Sequence, residues 1–339
     1  MPARLLGLSV GASSRVRLVA LTDPALAPLP VLPHCARIGG DAVARAVGGR
    51  RAVVELGAVP EGMVRANGVD LCVETFGDPE APAIMLISGA AASMDWWDAE
   101  FCRRLAAGGR FVIRYDHRDT GRSVSYPPGA PGYTGPDLVG DAAGLIDAVA
   151  GGGAHVVGLS MGGGIAQYLA VHHSDRVATL TLMSTSPGPA DDLPPMADRV
   201  RAAFAHPAPE PNWTDRDAVV EYLVEGERPF AGPDSFDEKS VREVARRVVD
   251  RTVNLESSTK NHWLVEGGED TRPRLGEVRA PTLVIHGTED PFFPPGHAVA
   301  LAREIAETEL LLLDGIGHQA PPRSTWDLVV PAILRHTTP

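Results

Sequence analysis

Gly158-Leu159-Ser160-Met161-Gly162 has the spacing G-x-S-x-G, which sets a serine on a strained turn between a strand and a helix. On such a turn the Ser160 hydroxyl projects clear of the sheet. Gly158 and Gly162 omit side chains that would collide with the neighbouring strand or helix. The flanks fit. His155-Val156-Val157 begins a short, largely apolar strand run, and beyond the turn Ile165 and Leu169 stand one helical turn apart. Gly162, Ala166 and Ala170 form a small-residue stripe that lets the helix lie close to the sheet. The five residues alone would also suit a Gly-rich turn with no chemistry; the strand before and the helix after favour a nucleophile.

A serine hydroxyl is a poor nucleophile until a base takes its proton, and the base needs orienting. The order expected after such a turn is serine, acid, histidine. His286-Gly287-Thr288-Glu289-Asp290-Pro291 follows an apolar run and offers Asp290 as the acid. Glu289 is the alternative, but the residue before Pro291 is the one held extended and aimed back at the site. Asp314-Gly315-Ile316-Gly317-His318 follows the last apolar run and offers His318 as the base. A lone Asp before Pro is ordinarily a turn residue, and a lone loop His is ordinarily solvated. Their joint placement after strands is what raises both. The oxyanion donors expected are the N–H of Met161 and that of Ala90, with Gly89 giving room in the small-residue loop Ser88–Ala92. Trp96, Trp97 and Trp263 are candidates for an acyl or aromatic pocket, with core packing the alternative for each. The polar stretch Arg114–Ser123 reads as a structural knot rather than chemistry.

Positioning these groups requires strands that alternate with helices. Asn67-Gly68 between Met63–Ala66 and Leu71–Phe76 reads as a hairpin. Strands follow at Ala83–Ile87, Phe111–Tyr115, Ala178–Met183, Thr282–His286 and Leu310–Leu313, besides the strand before Ser160. Helical spacing is expected from Asp95 to Gly108, over Leu138–Val149, from Pro295 to Ile305, and around Trp326, Val330 and Ile333. Residues 187–275 hold no convincing buried strand. Thr214/Asp217 and Ser235/Glu238 read as helix starts, and Val241, Val244, Ala245, Val248 and Val249 make one apolar face. The pattern is that of an α/β fold: a mostly parallel central sheet, helices on both faces, and a helical cap inserted at 187–275 between core segments 63–186 and 276–339.

Residues 1–62 differ from the rest. They hold seven Arg against four acids and no aromatic residue. Much of this segment is expected to be a poorly ordered extension, apart from possible short pieces, without a catalytic role, and Met63 looks like a natural domain start. Arg15 and Arg17 interrupt any secretory core there. A net charge of −12 argues against a nucleic-acid surface. No apolar run approaches the roughly 20 residues of a membrane span. The three cysteines match no metal spacing and read as free thiols of a cytoplasmic protein. No metal, nucleotide or flavin cofactor is indicated, and the expected partner is a small-molecule ester.

From about Met63 to the end, the chain resembles the α/β-hydrolase superfamily. Arg114–Ser123 together with His155–Gly162 is particularly similar to the aclacinomycin methylesterase-like group. That resemblance implies a carboxylic methyl ester on a polyketide as substrate, with Ser160, Asp290 and His318 in the triad positions. It departs from the common pattern at Ser88-Gly89, where many members carry His-Gly; a backbone donor survives that change. Lactone hydrolysis, C–C bond hydrolysis and cofactor-free perhydrolysis or haloperoxidation would use the same three groups. A non-catalytic ligand-binding protein of the same fold is the alternative from another class.

Overall fold

The computed structural model describes residues 17–18, 61–188 and 190–338. Its centre is a nine-stranded sheet in the order β1-β9-β8-β7-β6-β4-β5-β3-β2. The strands are β1 (Arg17–Leu18), β2 (Glu61–Ala66), β3 (Val69–Phe76), β4 (Ala83–Ile87), β5 (Phe111–Tyr115), β6 (Ala154–Leu159), β7 (Val177–Met183), β8 (Thr282–Gly287) and β9 (Thr308–Leu313). β2 and β3 pair antiparallel, as do β3 and β5; every other pairing is parallel. The expected hairpin forms at Asn67-Gly68, where φ is 46° and 77°, the positive pair that a two-residue turn with the right twist demands.

Successive strand residues feed opposite faces. Met85 and Ile87 of β4 join one core with Leu138 and Leu145 of α2 (Gly135–Val149), Ile165 and Leu169 of α3 (Met161–His172) and Leu301 of α8 (Gly296–Glu304). Ile84 and Leu86 join the other, with Phe101 and Leu105 of α1 (Ala99–Ala107) and Val330 and Ile333 of α9 (Trp326–His336). A third, smaller core belongs to the segment between β7 and β8. There α5 (Arg216–Glu227) packs Val219, Val220 and Val224 against Ala245 and Val249 of α6 (Glu238–Arg251). The same segment contains α4 (Asp198–Ala205) and α7 (Leu255–Lys260), and is called the cap below.

Three details differ from the sequence reading. α1 does not start at Asp95. Met94–Trp96 is a separate single turn, and Asp98 caps α1 by accepting from the Glu100 N–H at 2.7 Å. The cap helices begin one and two residues from the expected boxes: Asp215 caps α5 and Asp237 caps α6. Finally, β2 starts at Glu61, two residues before the expected domain start at Met63; Arg17–Leu18, which runs parallel to β9, is one of the short ordered pieces expected within the extension. The remainder of residues 1–60 lies outside the described residues.

Candidate active site

The carboxyl ends of β4, β6, β8 and β9 converge on one rim, where open α/β sheets bind ligands. β6 delivers Ser160, which sits at φ 53°, ψ −117° between strand and helix. A non-glycine residue in such a conformation costs roughly 1–3 kcal/mol and survives only where its surroundings over-determine it. They do here. The Ser160 N–H donates to the Met183 carbonyl at 3.0 Å, and Thr185 Oγ1 donates to the Ser160 carbonyl at 2.8 Å. The two glycines act as their spacing implied. A β-carbon on Gly158 would overlap the Gly162 carbonyl, and one on Gly162 would overlap the Ile87 and Ser88 carbonyls. Helix α3 is thereby drawn against the end of β4, which carries the Ser88–Ala92 loop.

His318 and Asp290 arrive from the loops after β9 and β8. His318 Nε2 lies 2.9 Å from Ser160 Oγ, and His318 Nδ1 lies 2.9 Å from Asp290 Oδ2. The other oxygen of Asp290 accepts the N–H groups of Phe292 and Phe293 at 2.9 and 2.8 Å. Burial alone would raise the Asp290 carboxyl, but His318, His286 and the Phe293 N–H outweigh it and hold the group below the ordinary carboxylate range. An ionised Asp290 can only accept, so Nδ1 of His318 donates and its Nε2 is left to accept the Ser160 proton. Glu289, the alternative acid, is exposed to solvent.

Of the expected oxyanion donors, Met161 directly follows Ser160 and Ala90 directly follows Gly89. Met161 opens α3, and neither its N–H nor that of Ala90 has a hydrogen-bond partner among the described residues. Gly89 abuts the nucleophile: a β-carbon there would lie 3.4 Å from Ser160 Cβ and 3.9 Å from its Oγ. The three tryptophans part company. Trp96 is half-buried in the single turn after the Ser88–Ala92 loop. Trp97 is a correction: it is 1% exposed and stacks on Phe101 at 6.1 Å, so it fills the core under α1 rather than a pocket. Trp263 is half-exposed and meets Phe204 edge-on at 5.4 Å. From there a run of rings leads inward. Phe204 lies 5.7 Å from Phe292, and Phe292 lies 5.0 Å from the imidazole of His318. Phe230 and Phe293 flank the same imidazole at 6.1 and 5.4 Å. None of these four phenylalanines stood out in the sequence. The doublet Phe292-Phe293 directly after Asp290-Pro291 was the available signal.

The stretch Arg114–Ser123 is structural, though its partners are mostly remote. Arg118 forms a two-pronged pair with Asp141 of α2, both bonds at 2.7 Å. Asp119 accepts from Tyr126 N–H, Tyr133 Oη and Asn261 Nδ2. Asp116 accepts from the Met94 and Arg122 N–H groups and pairs with Arg251 of the cap. Cys72 and Cys102 are free and buried; Cys35 lies outside the described residues. No described helix is long and apolar enough to cross a membrane.

A mostly parallel sheet covered on both faces, with a serine on a strained strand-to-helix turn, defines the class, and residues 82–321 match the family model described as alpha/beta hydrolase fold. The chain belongs to the α/β-hydrolase family. Among curated proteins it is 32% identical over 298 residues to rhodomycin D methylesterase DauP of Streptomyces sp. (strain C5), covering 82% of this chain and 98% of that protein. The same figures hold for rhodomycin D methylesterase DnrP of Streptomyces peucetius. Among solved structures, an enol-lactonase from Burkholderia xenovorans LB400 superposes with a TM-score of 0.63 at 25% identity, over 82% of this chain and 100% of that one.

Proposed function

We propose that this carboxylic ester hydrolase cleaves a methyl ester on a polyketide-like small molecule through an acyl-enzyme on Ser160. The observation that carries the reading is the unbroken hydrogen-bonded chain from Ser160 Oγ through His318 to Asp290. His318 Nε2 takes the Ser160 proton as Oγ attacks the ester carbonyl. Asp290 stabilises the imidazolium that forms. The N–H groups of Met161 and Ala90 receive the negative charge on the carbonyl oxygen, each worth roughly 10²–10³ in rate. His318 then returns the proton to the leaving methoxide, and the same base activates the water that releases the acid.

Two observations favour a methyl ester with a flat apolar body over the lactone, C–C and perhydrolase alternatives. Two relatives covered almost end to end carry the name methylesterase. Beside His318, the rings of Phe230, Phe292 and Phe293 offer an apolar wall to such a body.

The test is methanol release from aromatic methyl esters, run beside lactones, vinylogous diketones and a peroxide arm. Ser160→Ala should lower kcat by about 10⁶. Near-normal turnover in that variant would reject the scheme. Failure of a fluorophosphonate to label Ser160 in the folded protein would point instead to a ligand-binding protein.

A further inference from the structure

The Ser88–Ala92 loop carries a strain the nucleophile does not account for. Ala91 adopts φ 58°, a left-handed conformation that an alanine avoids by roughly 1–2 kcal/mol. Something must hold it there. Within the loop, the closing bond from the Ala92 N–H to the Gly89 carbonyl is long, 3.4 Å. The stronger contact comes from the cap, 171 residues further along the chain: the Ala91 N–H donates to Nδ1 of His262 at 2.8 Å.

The rest of the His262 ring is equally committed. Nε2 lies 2.8 Å from the Arg118 carbonyl. With Nδ1 accepting, Nε2 must carry the proton and donate, so the neutral imidazole has one tautomer that satisfies both partners. The residue is 6% exposed, and burial holds it below the ordinary histidine range, which keeps Nδ1 unprotonated at neutral pH. Its neighbour Asn261 locks the backbone of this turn: Nδ2 donates to Asp119 and to the Pro127 carbonyl, and Oδ1 accepts from the Gly129 N–H. A second histidine grips the start of the same loop, with His117 Nε2 3.1 Å from the Ser88 carbonyl.

We propose that His262 is a positioning residue for the oxyanion loop: by accepting the Ala91 N–H, the cap holds the preceding Ala90 N–H in place beside Ser160. This rests on the acyl-enzyme reading above, in which Ala90 is a donor. It also gives the cap a part in turnover besides covering the rim. Residues 261–263 present Asn261 and His262 to the core, and Trp263 to the aromatic run that ends at His318.

Three substitutions separate this from a packing role. In His262→Asn the amide oxygen stands where Nδ1 stood and can still accept from Ala91. In His262→Gln the amide reaches the Nε2 position and the Arg118 carbonyl instead. His262→Phe keeps a flat ring and loses both. The expected result is kcat near the wild-type value for H262N, and a fall of roughly tenfold to a hundredfold for H262Q and H262F with KM within twofold, because a misplaced oxyanion donor is felt in the transition state. Fluorophosphonate labelling of Ser160 should slow in the same order. If H262F fails to fold, the contrast between H262N and H262Q still decides. Equal impairment of those two, or a loss confined to KM, overturns the proposal. Unchanged kcat in H262Q with an inactive Ser160→Ala would sink the positioning role alone, whereas turnover by Ser160→Ala would sink the reading beneath it.

Discussion

Gly232 of the cap and Gly317 of the loop before His318 meet backbone to backbone. A β-carbon on Gly317 would overlap the Gly232 nitrogen and the Phe230 carbonyl, and one on Gly232 would overlap the Gly315 carbonyl. Beside this contact the His318 N–H donates to the Phe230 carbonyl at 2.8 Å. The candidate base is therefore seated by the cap as well as by β9.

Gly317→Ala should displace that seat. Overpacking of this kind costs about 1–3 kcal/mol, and here the displacement falls on the residue next to His318. We expect kcat to drop at least tenfold, in line with the sensitivity of reacting groups to small misplacements. Steady-state kinetics beside a thermal melt check it. A variant that loses stability but keeps kcat would show that the loop re-seats itself.

Asp290→Asn tests the tautomer argument. An amide can present its N–H₂ to Nδ1 and so favour the ring form whose Nε2 already carries a proton. Turnover should fall by about 10⁴ while the fold persists. Activity within tenfold of the wild type would reassign the acid, with the nearby Glu289 the next candidate.

Arg251 sits in a buried acidic nest at the end of α6. It donates to Asp95 at 2.9 Å and Glu61 at 3.2 Å, and pairs with Asp116, with only 11% of its side chain exposed. Arg251→Met strands these carboxylates and should cost about 3–5 kcal/mol, read as a lowered urea midpoint. A midpoint within error of the wild type would mean that water or a rearranged partner replaces the guanidinium.

Acid should destabilise the fold through its buried imidazoles. Burial, with the neighbouring His262, pushes His117 down to about 3, and burial, with Arg110 and His336, pushes His155 down to about 4. Both are neutral in the fold, whereas in the unfolded chain they bind a proton near pH 6.5. Unfolding therefore takes up protons between those limits. The stabilisation is fully present above about pH 6.5 and is lost as pH falls towards 4 and then 3. Each group contributes up to ~1.4 kcal/mol per pH unit. Denaturation midpoints at pH 7, 6 and 5 should fall in that order; a flat series would show that these rings are charged or solvated in the native state.

Several features needed only local chemistry and so could be read from the sequence. The Asn67-Gly68 turn requires two positive φ values, which few other residue pairs tolerate. Gly158 and Gly162 are fixed by overlaps within the same strand–turn–helix unit, or with the strand next to it. The apolar strand runs and the helical spacing gave the α/β class, and the rim loops named Ser160, Asp290 and His318, which the structure joins by two 2.9 Å contacts.

What the sequence misplaced depends on partners remote in the chain. Asp95 looked like a helix cap, but its carboxylate is engaged by the Ser93 hydroxyl and by Arg251, 156 residues away, and Asp98 caps α1 instead. Trp97 and Trp263 are alike as letters; one is sealed under α1, and the other stands half in solvent at the edge of the cap. His262 carries no motif at all. Composition and periodicity fix what a segment can become and which of its faces is apolar. They hold no record of which buried donor, far along the chain, will meet a given lone pair. That pairing exists only in the fold, where the segment between β7 and β8 meets the loop that follows β4.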